Sequence, residues 1–364
     1  MAWMSDPAQR SAEMKTLLSL EAQALLPHIE RACAIERDRE GTAPYTVFDG
    51  QLESDDSLVH WCHEHFGPHY RWSAARLNDY ITCPFRFAAA HMFKLQPTSE
   101  PQEGLEVAVR GLIFHDILAQ AGEQWQQADY PFDRSHAEPI LAALAAAADT
   151  VLADAPQRYR FVPGRFWLWE AADMRRRLLA AISHSLEHGR GWEHFRPLLI
   201  EQAFGQAQGS PPLRLSLSND DHNVDVPQTI LVVGRVDRVD QDPQQNLALI
   251  DYKSGSTSRR RKDTLEGNDV QLALYTLAVE QVLKPGHQVV RAAFLHLGSG
   301  KYSPPLTEKE RDQALSAMQK RVHETVSGCH SGRFMVHPRN QCPSYCDFAS
   351  ICRVNLARRD AQQQ

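Results

Sequence analysis

Four cysteines set the hardest constraint on the fold of this 364-residue chain: Cys83 stands alone, while Cys342, Cys346 and Cys352 crowd into the tail. If these thiols share one centre, the fold must carry both ends of the chain to the same place. Clustered cysteines in a chain with no export signal point to metal or cluster ligation rather than to disulfides. Residues Met1 to Pro7 offer neither a basic start nor an apolar stretch. No run of about 18 apolar residues reads as a membrane span. The expectation is a cytoplasmic protein that does not cross a membrane. Three and five residues separate the tail cysteines. Structural zinc favours paired knuckles, so one distant cysteine plus a tight trio suits a four-iron–four-sulfur (4Fe-4S) cluster better, with zinc and unligated thiols as alternatives. Cys33, Cys62 and Cys329 read as ordinary free cysteines.

The chain is long enough for two ordinary domains or one core with a large helical elaboration. Its formal net charge of −6 excludes a wholesale basic nucleic-acid binder, so any phosphate contact falls to local basic tracts. Apolar recurrence at three and four residues predicts helices over 8–40, 104–127, 136–155 and 165–188. Near Pro197 the character changes. Residues 198–204, 229–239, 247–252 and 289–297 read as strands, with helices at 268–282 and 306–328. Residues 41–57 read as a loop, and the stretch from His60 to His65 as a solvated polar segment. The fold class expected is α/β, a mixed central sheet flanked by helices with a helical subdomain before it. The divisions read are an extension over 1–70, a helical part over 71–195, a core over 196–353 and a flexible end over 354–364.

Asp237 closes one predicted strand and Asp251 lies near the end of the next, with a turn-like Asp242-Pro243-Gln244-Gln245-Asn246 between them. A hairpin there sets the two carboxylates side by side. Lys253 follows Asp251 by two residues and so shares its face of the strand. Two carboxylates and the Tyr252 carbonyl form an oxygen set for Mg²⁺ or Mn²⁺, and an ammonium beside them can offset charge on a phosphate. Gln271 and Tyr275 are four apart and stack on one helix face, placed to hold that lysine or a phosphate. His115, in an apolar helix, is a core histidine or an extra metal ligand. Arg259, Arg260, Arg261 and Lys262 form an acid-free tract close after Lys253 and suit a phosphate grip. Trp167 and Trp169 read as core more readily than as base-stacking residues.

Taken together these residues resemble the PD-(D/E)XK superfamily, specifically the RecB/AddB-type nucleases with an iron–sulfur cluster. The likeness runs from about residue 70 to 353. It rests on Ser73–Phe87 with Cys83, the Gly111–His115 motif, Gly234–Asp240 (Gly-x-x-Asp-Arg-x-Asp), Asp251–Lys253, Gln271 with Tyr275, and the closing cysteine trio. The resemblance implies that His115, Asp237 and Asp251 bind the divalent metal, that Lys253 is catalytic, and that Glu201 is supportive. It implies a cluster on Cys83, Cys342, Cys346 and Cys352, although the family usually has two residues, not three, between the first two tail cysteines. The activity implied is a Mg²⁺/Mn²⁺-dependent DNase on DNA ends or single strands, with a helicase partner or helicase region. A non-catalytic scaffold protein is the alternative. Gly298-Ser299-Gly300-Lys301-Tyr302 lacks the pattern of an ATP-binding loop.

Overall fold

The computed structural model describes residues 20–40, 46–96, 105–206, 209–217, 227–255, 261–336 and 346–352. Helix α1 (Leu20–Glu40) and α2 (Asp56–His65) come first, then strand β1 (Arg71–Trp72), α3 (Ala74–Thr82) and the short α4 (Pro84–Phe87). Three long helices follow: α5 (Val107–Ala128), α6 (Ala137–Arg158) and α7 (Trp167–His188). Strands β2 (Arg196–Phe204), β3 (Leu213–Ser216), β4 (Thr229–Val232), β5 (Gly234–Gln241) and β6 (Leu247–Lys253) precede α8 (Arg261–Leu265) and α9 (Gln271–Ala278). The order ends with β7 (Val289–His296), β8 (Lys301–Tyr302), α10 (Glu308–His330) and α11 (Ala349–Cys352).

The strands build a five-stranded sheet in the order β2-β5-β6-β7-β8 and a three-stranded sheet in the order β1-β4-β3. In the larger sheet only β6 and β7 run parallel, and their connection carries α8 and α9. Strand β6 is nearly all buried because both of its faces are covered. Leu247 and Leu249 face a core shared with α9 and α10, while Ala248, Ile250 and Tyr252 face a core built from α5, α6 and α7. This is the mixed α/β architecture expected, with helices on both faces of a mixed sheet.

Local chemistry accounts for the elements. Ser73 caps α3 by accepting from the Arg76 N–H, and Thr307 and Glu310 form a reciprocal capping box on α10. Helix α5 turns Ile113, Phe114, Ile117, Leu118 and Ala121 inward, and Gly122 lets it lie close on β2: a Cβ there would meet Ile200 at 2.9 Å. Helix α6, with its N-terminal turn, is long and apolar enough by length and composition to cross a membrane. Its Ile140, Leu144, Ala148 and Val151 are nevertheless buried in the helical core.

Several readings change. The stretch from His60 to His65 is helical, within α2, and buries Cys62. Strands β1, β3 and β8 were not expected. The single strand expected over 229–239 is two strands in different sheets. The ladder is interrupted at Val233, whose N–H donates to the Trp72 carbonyl at 2.8 Å, and β5 starts at Gly234, where a Cβ would come within 2.9 Å of the Phe204 ring. Arg238 and Asp240 form a fully buried ion pair at 2.5 Å, with the guanidinium 3.7 Å from the Phe132 ring centroid.

The two flanks of the chain meet. Phe334 N–H donates to the Gly50 carbonyl at 2.7 Å and Leu52 N–H to the Gly332 carbonyl at 2.9 Å. The Tyr80 hydroxyl donates to the Arg333 carbonyl at 2.8 Å.

Candidate active site

Asp237 lies inside β5, which runs on to Gln241, rather than at a strand end. Strand β5 pairs with β6 at Arg238 and Ile250, and one step further that register sets Asp237 across from Asp251. The Tyr252 N–H donates to Asp237 Oδ2 at 2.7 Å, so the backbone of one strand fixes the carboxylate of the other. Lys253 Nζ stands 2.5 Å from Asp251 Oδ2. Gln271, the first residue of α9, joins both: its Oε1 accepts from Lys253 Nζ at 2.8 Å and its Nε2 donates to Asp251 Oδ1 at 2.6 Å. One amide therefore sets the spacing of an acid and a lysine that would otherwise be free to re-pair. Tyr275 lies one turn further along α9, buried against Gly234. Burial and the charges of Asp251 and Asp237 hold its hydroxyl well above the usual tyrosine range.

From the helical side, α5 brings His115. Its Nδ1 is 3.2 Å from Glu201 Oε1 and 3.7 Å from Asp237 Oδ1. Glu201 is in mid-strand β2, yet its φ is +46°, in the left-handed region that a glutamate rarely adopts. Its β2 neighbours Ile200 and Gln202 pair with Arg238 and Val236, which puts Glu201 across from Asp237. His115, Glu201 and Asp237 each bring a ligand atom within 4.8 Å of the others. Sequence reading assigned Glu201 only a supporting part; the visible signal was a lone acid inside an aliphatic strand.

The electrostatics follow from crowding. Burial, then the charge of Asp251, pushes Asp237 up to about 8. Burial also raises Asp251, against the pull of Lys253. For His115, burial disfavours the charged ring, but the Glu201 hydrogen bond and the Asp237, Glu201 and Asp251 charges outweigh it and raise the imidazole. Three carboxylates are gathered at the edge of a core with too little positive charge to match them. A set of carboxylate oxygens with one imidazole suits a hard divalent cation, so the residues fit Mg²⁺ or Mn²⁺.

A buried clamp unseen in the sequence sits behind Gln271. Asn78, from α3, donates to Asp269 Oδ1 at 3.1 Å and accepts from the Val270 N–H at 3.0 Å. Asp269 Oδ1 also accepts from the Gln271 N–H at 3.0 Å. The available signal was an asparagine among the buried residues of α3, beside Leu77 and Ile81.

The other residues singled out are distributed differently. Tyr252, expected to offer its carbonyl, buries its ring in the helical core. Arg261 pairs with Glu310 and Lys262 with Glu266 at 3.5 Å; Arg259 and Arg260 lie outside the described residues. Cys342 also lies outside them. Cys83 is buried at the C-terminus of α3, while Cys346 and Cys352 are half-buried. None of the six described cysteines is in a disulfide. Among the described residues, Cys83, Cys346 and Cys352 do not gather within 4.8 Å of one another. Trp167 is buried as expected, but Trp169 is 68% exposed.

The chain is 28% identical over 250 residues to a subunit of the ATP-dependent helicase/deoxyribonuclease of Caldanaerobacter subterraneus subsp. tengcongensis, covering 66% of this chain and 20% of that protein. Its namesake from Symbiobacterium thermophilum is 29% identical over 242 residues, covering 63% and 19%. The one from Desulforamulus reducens is 29% identical over 220 residues, covering 58% and 18%. The chain thus spans about a fifth of the length of these relatives. The profile of the PD-(D/E)XK nuclease superfamily matches residues 71–353, the stretch that holds His115, Glu201, Asp237, Asp251, Lys253 and Gln271. With most of its length inside that match, the chain belongs to the PD-(D/E)XK nuclease superfamily.

Proposed function

We propose that this protein is a Mg²⁺- or Mn²⁺-dependent deoxyribonuclease that hydrolyses phosphodiester bonds at DNA ends or in single strands. The observation that carries the reading is the single amide of Gln271 spanning Asp251 and Lys253 beside Asp237. A non-catalytic scaffold has no use for two confined carboxylates and a lysine held at a fixed distance from them. His115, Glu201, Asp237 and Asp251 would hold the divalent ion. When bound, such an ion supplies Lewis-acid stabilisation of phosphate charge and makes water a better nucleophile. Lys253 presents its ammonium from the face that Asp251 shares, where it offsets the charge that builds on the phosphate. Gln271 keeps that ammonium from collapsing into another geometry, and Asp237 is kept in place by the Tyr252 N–H.

The relatives are named as subunits of ATP-dependent helicase/deoxyribonucleases. On that basis we place this protein in DNA recombination or double-strand-break repair, working with a helicase. We assign residues 71–195 and 196–353 to one nuclease unit, with Cys83, Cys342, Cys346 and Cys352 holding a 4Fe-4S cluster across its ends. The test is degradation of labelled single-stranded DNA in Mn²⁺ by the parent chain and by an Asp251→Ala/Lys253→Ala variant. The parent should cut the strand and the variant should lose at least about a hundredfold in rate. Equal degradation by both would reject the assignment.

A further inference from the structure

Beyond the ends of the parallel strands β6 and β7, a cavity of about 170 Å³ opens between α5 and α7. Ser254, the residue after Lys253, lines it, as do Gly298 beyond β7, Arg110 from α5, and Trp169 and Arg177 from α7. In open α/β sheets, ligands seat in the crevice beyond the carboxyl ends of the strands. The start of α7 also breaks the usual rule for apolar surface. Phe166, Leu168 and Trp169 are 58%, 83% and 68% exposed, and the Arg165 guanidinium lies 4.7 Å from the Phe166 ring centroid. Trp167, two residues earlier and so on the opposite side of the helix, is buried, which leaves Trp169 turned outward. Phe166 and Trp169, three residues apart, are neighbours on the helix surface, and exposed apolar side chains grouped in this way mark a surface that meets a partner.

We infer that Trp169 is a stacking platform for an unpaired nucleobase of the strand whose backbone passes Ser254 on its way to Lys253. This deepens, and rests on, the nuclease reading. The occupant is single-stranded nucleic acid because aromatic and guanidinium groups alternate here. Phe166 and Trp169 offer π faces, and Arg110 and Arg165 offer cations to the phosphates between bases. The lining also contains Glu170 and Asp173. Asp173 is held by Arg176 and Arg177, each at 2.5 Å, so its charge is largely met within α7. A duplex has no unstacked base to give, so the platform sorts single strands from double strands at the point of cleavage.

The experiment measures binding by anisotropy in an Asp251→Ala background, so that the strand is not cut. The probes are a fluorescein-labelled oligothymidylate and an abasic oligomer of equal length. The parent should bind the oligothymidylate more tightly than the abasic strand. Trp169→Ala should weaken oligothymidylate binding roughly tenfold, leave abasic binding unchanged, and so erase the difference. Trp169→Phe should keep most of it. An equal loss on both probes, or no loss on either, overturns the platform while leaving the nuclease reading standing. The second of these outcomes would give the patch to a protein partner instead. Failure of the parent to bind either probe would overturn both readings together.

Discussion

Glu201 shows how a single residue is bent to a task. Its backbone at φ +46° sits where glycine rests easily and a glutamate is strained, and the deviation aims its carboxylate at His115 and Asp237. Strain of this sort is worth on the order of 1 kcal/mol and gathers where geometry matters more than stability. Glu201→Gly should therefore change stability by no more than roughly 1 kcal/mol in urea unfolding, since relief of the strain is set against loss of the His115 hydrogen bond. The same change should abolish cleavage, and a glycine variant that lost several kcal/mol would contradict the account. Asp237 gives the pH dependence. Its carboxyl is raised from 3.8 to about 8 in the folded state, so the folded protein holds a proton that the unfolded chain releases. Stability from this group is thus lost as pH rises between about 4 and 8. His115, also raised, contributes stability that is present below its ordinary value and lost as pH climbs through its folded one, so both groups act in one direction. A divalent ion takes the place of these protons. Melting curves should show Mn²⁺ stabilising the protein more at about pH 8 than at about pH 6, and Asp237→Asn should flatten that difference.

Among the elements, the first turn of α9 matters most. Asn78 ties α3 to Val270 and Asp269, and Asp269 accepts from the Gln271 N–H, so the amide that spaces Lys253 from Asp251 is anchored in a different helix. Asn78→Ala should lower kcat by roughly tenfold to a hundredfold with KM for DNA little changed, at a stability cost of about 1–3 kcal/mol. A matched rise in KM, or a normal kcat, would show that the clamp does not position Gln271. The long helices were legible because the spacing of apolar residues on α5, α6 and α7 is a local property of the chain. The hairpin that brings Asp237 to Asp251 was legible from its turn residues. Strands β1 and β8, of two residues each, carry no periodicity to read, and β4 parts from β5 at Val233, whose N–H turns to the Trp72 carbonyl of β1. The burial of Arg238 and Asp240 is a tertiary matter, with the guanidinium set against the Trp125 and Phe132 rings. Likewise the exposure of Trp169, beside a buried Trp167, is decided by which residues α7 packs on.

At the scale of the whole molecule, the question is what keeps the flanks together. Cys83 ends the same helix that carries Asn78, so disturbance at the thiol passes along α3 toward Gln271. If a cluster joins Cys83 to the tail, anaerobically prepared protein should contain about four irons per chain. Cys83→Ser should then lose them and melt roughly 5–10 °C lower. Full iron content or an unshifted melt in that variant would count against the cluster. The flanks also meet without any metal, through the paired backbones around Gly50–Leu52 and Gly332–Phe334. Tension applied through the two ends of the chain is carried first by those two hydrogen bonds and the Arg333–Glu53 ion pair. The sheet that bears Asp251 and Lys253 lies outside that load path. Force on the flanks would strain this fastening first, and the carboxylate–lysine site would keep its shape.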